Sequence, residues 1–250
     1  CGVEYFGFNY SGWQSQQQSG SVQDYIETAI STVANEPIRI FASGRTDAGV
    51  HAKCQVFHFD TKSNRTPSEW LYGVNSHLPD DINIIWVKGV VQEFDARYSA
   101  ISRTYQYLIV NQKINDVFLI NHALWVPYNL DINLMQQAAR HFHGEHDFTS
   151  FRSSSCQARS PTRTISTLNI KQSNQRILIQ CTANAFLQHM VRNIVGTLID
   201  IGEGVLSPES IPIILDSKDR IKSGKTASSS GLYLVGIDYP GKFKLPHSEF

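Results

Sequence analysis

The residues best suited to chemistry sit together in 43–52, Ser-Gly-Arg-Thr-Asp-Ala-Gly-Val-His-Ala, where the guanidinium of Arg45 and the carboxylate of Asp47 stand two residues apart. Gly44 and Gly49 let the backbone take tight turns and positive φ angles, which would hold both charges on a short exposed connection between two apolar runs. An acid and a base are thus presented together. Taken alone, the same pattern also describes an Asx turn, with Asp47 accepting from backbone amides and Arg45 solvated. Cysteine chemistry is not indicated. Cys1, Cys54, Cys156 and Cys181 lie far apart with no Cys-x-x-Cys pair, so they read as small thiols and not as a zinc ribbon or a disulfide scaffold.

The elements that must position this loop follow from periodicity. Val22, Tyr25, Ile26, Ala29, Ile30 and Val33 recur at helical spacing after Ser21, a capping residue with Asp24 three positions on, and Asn35 and Pro37 end the helix. Residues 38–42 and 55–59 read as strands, 68–77 as a helix and 82–90 as a β-branched strand; with 2–5 in front, the order is β-α-β-β-α-β. The second half repeats it: a strand over 103–110, a helix over 132–142 capped by Asp131, a hairpin of 164–171 and 177–183 around Ser173-Asn174, a helix over 187–201 ended by Gly202, a short helix opening at Ser207-Pro208-Glu209, and a last strand over 232–239. The expected fold is α+β: two ferredoxin-like units, 1–98 and 99–250, each an antiparallel sheet with helices on one face, with a cleft between the two sheets.

A chain of 250 residues, 41% hydrophobic and 18% charged, can bury a sizeable core. No apolar run approaches the ~20 residues needed to span a bilayer, and the start lacks a basic segment followed by an apolar one, so a cytoplasmic protein with no membrane partner is expected. Net charge is zero, 22 basic against 22 acidic residues, yet 148–199 contains no Asp or Glu while holding Arg152, Arg159, Arg163, Lys171, Arg176 and Arg192. A purely cationic stretch is the footprint a polyanion needs, and Arg152, Arg159 and Arg163, in a Ser-rich loop, suit phosphates better than bases.

Gly44-Arg45-Thr46-Asp47-Ala48-Gly49-Val50-His51-Ala52, followed by Gln55-Val56-Phe57-His58-Phe59, resembles the signature of the tRNA pseudouridine synthase A family. The likeness runs through Gly12-Trp13-Gln14, Phe94-Asp95-Ala96-Arg97-Tyr98-Ser99-Ala100, Arg103 with Tyr105 and Tyr107, His146-Asp147-Phe148, Ala185-Phe186-Leu187, His189-Met190-Val191-Arg192-Asn193 and Gly231-Leu232-Tyr233-Leu234. Where the family has Tyr-Asp-Gly this chain has Tyr5-Phe6-Gly7, without a carboxylate. The resemblance implies isomerisation of uridine at positions 38 to 40 of the tRNA anticodon arm, without metal or organic cofactor, by a homodimer. It makes Asp47 the nucleophile, Arg192 its charge partner and Tyr105 the ring that stacks on the target base, with Arg45 entering the RNA stack as the nucleotide flips out. Leu232 would touch the uracil face, and His51 and His189 would also contact substrate.

A competing reading comes from His141-Phe142-His143-Gly144-Glu145-His146, similar to the His-x-His-x-Asp-His string of zinc-dependent hydrolases with Glu for Asp. That signature follows a buried strand, whereas His141 and His143 here end an amphipathic helix, where imidazoles suit the helix dipole. A non-catalytic RNA-binding protein is the other alternative.

Overall fold

The computed structural model describes residues 1–16 and 20–246. They separate into two compact units, Cys1–Ser102 with Tyr233–Phe250, and Arg103–Leu232. Helix and sheet are mixed throughout, with ten strands and five helices among the described residues.

The first unit runs β1 (Gly2–Tyr5), α1 (Val22–Ala34), β2 (Phe41–Ala42), β3 (His51–His58), α2 (Pro67–Asn75) and β4 (Ile82–Trp86). Both helices start where the sequence supplies reciprocal caps. Ser21 and Asp24 close a capping box on α1, and Thr66 and Glu69 do so on α2, with Pro67 at the first turn. The strands lie in the order β4-β1-β3, with β2 on the other side of β3, all antiparallel. β3 is buried on both faces: Cys54 and Val56 pack with Phe94, Ala96 and Phe243, while Phe57 stands with Ile30, Trp70, Val74 and Ile84 beneath the helices. That double burial fixes the register of the strand that follows the 43–50 loop.

The second unit contains β5 (Ser102–Asn111), β6 (Leu124–Val126), α3 (Ile132–Arg140), β7 (Gly144–Asp147), β8 (Thr162–Ser173), β9 (Arg176–Ala183), α4 (Met190–Gly202) and α5 (Ser210–Ser217). β5, β9, β8 and β7 pair in that order, antiparallel. On β9 the residues Ile177, Ile179, Cys181 and Ala183 point inward at every second position. The last strand, β10 (Leu232–Asp238), pairs in parallel with β3, Tyr233 opposite His51 and Leu234 opposite Ala52. β6 is also parallel to β5, so pairing is not purely antiparallel as the sequence predicts.

Other departures have local causes. β7 is Gly-Glu-His-Asp, which carries no apolar alternation and is a strand because it pairs with 162–165 of β8. α4 begins at Met190, not at 187, because His189 takes φ 64°, a left-handed conformation that a helix cannot contain. α5 begins at Ser210, three residues after the expected cap. No helix of the described residues is long and apolar enough to cross a membrane.

Candidate active site

The loop between β2 and β3 is built on buried polar bonds. Ser43 donates its hydroxyl to Gln55 Oε1 at 2.5 Å, and Gln55 Nε2 donates to the Gly44 carbonyl at 2.9 Å. The Tyr5 hydroxyl bonds Thr46 Oγ1 at 2.8 Å, and Trp13 N–H reaches the Thr46 carbonyl at 3.0 Å. Val50 N–H closes the turn on the Asp47 carbonyl at 3.1 Å. Ser43, Thr46 and Val50 are therefore buried, while Arg45 is exposed and Asp47 half-buried between them. Of the two glycines that the sequence reading credits with positive φ, Gly49 has φ 77°, whereas Gly44 is not in the left-handed region. Gly12 has φ 93° and lies so close that a Cβ there would stand 2.7 Å from the Thr46 carbonyl oxygen. The loop's rigidity thus comes from β1 and the 10–13 segment as much as from its own sequence.

His51 lies at the start of β3. It is fully buried, its Nδ1 accepts from the Gly7 N–H at 3.0 Å, and its ring stacks on Tyr233 with centroids 4.6 Å apart. Burial pushes the Tyr233 phenol up to about 12. These two rings brace the start of β3. Phe6, in place of the family's carboxylate, is about half exposed and sets its ring edge-on to His51 at 5.7 Å.

In the second unit, Tyr105 lies on β5 opposite Cys181, with its ring edge-on to Phe186 at 5.0 Å, and is half-buried. Tyr107, two residues on and on the same face, is fully buried and donates its hydroxyl to the Ser228 carbonyl at 2.7 Å. Burial pushes its phenol above the ordinary range, with the charge of Arg192 working in the other direction. α4 is buried almost all round; Arg192 and Asp200 are its two partly exposed residues. Arg192 Nε donates to the Ala227 carbonyl at 2.8 Å, and the Ala227 N–H returns a bond to the Arg192 carbonyl at 3.1 Å. His189 caps the start of the helix in a left-handed conformation, and its carbonyl accepts the Asn193 N–H at 2.9 Å. Leu232 opens β10 and is 5% exposed.

The cationic loop is uneven. Arg159 is exposed and Arg152 half-buried, whereas Arg163 turns its Nη1 onto the carbonyls of Ser160 at 2.9 Å and Thr162 at 2.6 Å. Its Nε is buried without a partner, and desolvation lowers its pKa. Arg163 thus spends its Nη1 on its own turn. Arg176 pairs with Asp116 at 4.0 Å, so the acid-free stretch of sequence is not an acid-free surface.

The histidine string does not assemble. His141 follows the last residue of α3, and His146 sets its Nε2 3.0 Å from the His143 carbonyl oxygen. Among the described residues no three His, Cys, Asp or Glu side chains are grouped to hold a metal ion. The four cysteines are free thiols, and burial pushes the Cys181 thiol up to about 12, which leaves it inert as a nucleophile.

Comparison with known proteins bears on the same residues. The chain is 50% identical over 245 residues to the tRNA pseudouridine synthase A of Shewanella sediminis, covering 98% of this chain and 94% of that one. It is 48% identical to that of Pseudoalteromonas atlantica and 46% to that of Coxiella burnetii, again over 98% of this chain and 93% and 94% of theirs. Among solved structures, one titled a Cbf5-Nop10-Gar1 complex aligns over 80% of this chain and 54% of that one at TM-score 0.34 and 10% identity, too distant to bear on fold or function. The profile of the family described as tRNA pseudouridine synthase matches residues 2–99 and 138–240, a span that takes in Asp47, Arg192 and Leu232, and the chain belongs to that family.

Proposed function

We propose that this enzyme converts uridine to pseudouridine at positions 38 to 40 of the tRNA anticodon arm, with Asp47 as the nucleophile. The reaction breaks the bond from ribose C1′ to N1, turns the detached uracil, and joins C1′ to C5; C5 gives up a proton and N1 gains one, so atoms and electrons balance within the nucleotide. A nucleophile in a site that retains the loose base is what such a reaction needs. The observation that carries the reading is the braced loop: Ser43 and Thr46 are held down by bonds to Gln55, Tyr5 and Trp13, which leaves Asp47 half-buried beside the exposed Arg45. The same loop is what the sequence shares with the family's signature.

In this reading Arg192 is the charge partner of the Asp47 carboxylate. Tyr105 offers its ring to the target base, supported by its edge-on contact with Phe186. Arg45 fills the space the flipped nucleotide leaves, at a flipping cost of a few kcal/mol. Leu232 closes over the uracil. Arg152 and Arg159 contact phosphates. The order β4-β1-β3-β2 with α1 and α2 as crossovers supports a ferredoxin-like reading of 1–98, and β5-β9-β8 with α3 and α4 supports one for 99–250. A homodimer acting on tRNA in the cytoplasm completes the proposal.

The test is incubation with an unmodified tRNA transcript followed by mapping of pseudouridine. Pseudouridine at one or more of positions 38 to 40 is expected; modification confined to other arms of the tRNA would overturn the site assignment.

A further inference from the structure

The segment from Arg220 to Leu232 is irregular and polar, yet it lies against α4 more closely than side chains ordinarily allow. A Cβ on Gly196 would stand 1.7 Å from the Lys225 carbonyl oxygen, and one on Gly224 would stand 2.6 Å from the Thr197 nitrogen. Backbone this close needs something to hold it. Arg220 knits the segment together and ties it to the helix: Nη1 donates to Ser223 Oγ at 2.9 Å and to the Gly224 carbonyl at 3.0 Å, while Nη2 donates to Thr226 Oγ1 and, on α4, to Asn193 Oδ1, both at 2.9 Å.

Asn193 is the residue after Arg192 on α4. Its Oδ1 also accepts from the Thr226 hydroxyl at 2.7 Å, and its Nδ2 donates to the Phe151 carbonyl at 2.7 Å. The Thr197 hydroxyl takes the Gly224 N–H at 2.8 Å. One residue beyond Thr226 comes Ala227, whose carbonyl receives Arg192 Nε. The forked guanidinium of Arg220 therefore ties segment and helix into one unit at the point where Arg192 is oriented.

We propose that Arg220 is a positioning residue for the isomerisation: by fixing the 223–227 segment on α4 it sets the plane in which Arg192 presents its guanidinium. This rests on the reading of Arg192 as the partner of Asp47. Lysine cannot replace the fork, because an ammonium is a point donor and the four acceptors are spread over two chain segments.

Single-turnover rates and tRNA KM are to be measured for Arg192→Met, Arg220→Lys, Thr226→Val and the two doubles with Arg192→Met. The expected result is a rate loss of about ten-fold in Arg220→Lys and a few-fold in Thr226→Val, with KM within about two-fold of wild type. Neither change should slow Arg192→Met further by more than about two-fold, because residues acting through one group do not add. If Arg220→Lys fails to give a cooperative thermal transition, Thr226→Val carries the same comparison. Unaltered rates in the folded variants, or losses that multiply in the doubles while Arg192→Met is itself impaired, overturn the positioning role and leave Arg192 in place. Full activity of Arg192→Met removes the Arg192 assignment itself, and the positioning role with it.

Discussion

At the scale of residues, Asp47 is held by neighbours that do no chemistry. Thr46 is fixed on both sides, its hydroxyl by Tyr5 and its carbonyl by Trp13, so the next residue inherits a defined position. Tyr5→Phe tests this. It leaves a buried Thr46 hydroxyl without its partner, which costs about 1–3 kcal/mol of stability. We expect a lower urea midpoint with the m-value unchanged, and a rate reduced several-fold at unaltered tRNA KM; an unchanged midpoint would mean that the bond does not support the loop. The sequence made the loop legible because its residue types and spacing are unusual. It did not reveal which neighbours brace it, since Tyr5 and Trp13 are 41 and 33 residues from Thr46 along the chain. His51 sits inside the same string, and nothing in that string shows that its ring is buried against Tyr233.

At the scale of elements, boundaries were legible where the chain carries local chemistry. The box of Ser21 and Asp24 gave the start of α1, and Ser173-Asn174 gave the turn between β8 and β9. They were not legible where tertiary contact decides. β7 exists by pairing with β8, and α4 starts three residues late because His189 is left-handed; an apolar stripe that continues through Leu187 carries no sign of either. Arg220 was missed for a related reason. It lies in Lys218-Asp219-Arg220-Ile221-Lys222, which reads as a solvated turn, and its acceptors are mostly backbone carbonyls and small polar side chains. Gly196 offers a test at this scale. In a solvated helix Gly→Ala stabilises by about 1 kcal/mol. Here the new methyl would meet the Lys225 carbonyl, so Gly196→Ala should lower the melting temperature, with a cost on the order of 1–3 kcal/mol expected of overpacking. A melting temperature at or above wild type would show that the segment moves away from α4 without penalty.

At the scale of the whole molecule, zero net charge coexists with a role on a polyanion because affinity depends on where cations lie and not on their sum. The arginines of the 152–163 loop should divide. Arg159→Ala should flatten the slope of log affinity against log salt by about 0.7 to 0.9, with the same nucleotides modified at saturating tRNA. Arg163→Ala removes two bonds within its own turn, so it should lower stability by about 1 kcal/mol and leave the slope unchanged. Equal slopes in wild type and Arg159→Ala would place the tRNA elsewhere.

Asp47→Asn tests whether Asp47 is the nucleophile, because the change removes the carboxylate and hardly alters size. With the variant and wild type assayed side by side on the same tRNA transcript, we predict no pseudouridine in the anticodon arm from Asp47→Asn, while tRNA affinity stays within a few-fold. Pseudouridine formed by the variant at a rate near that of wild type would rule out Asp47 as the nucleophile.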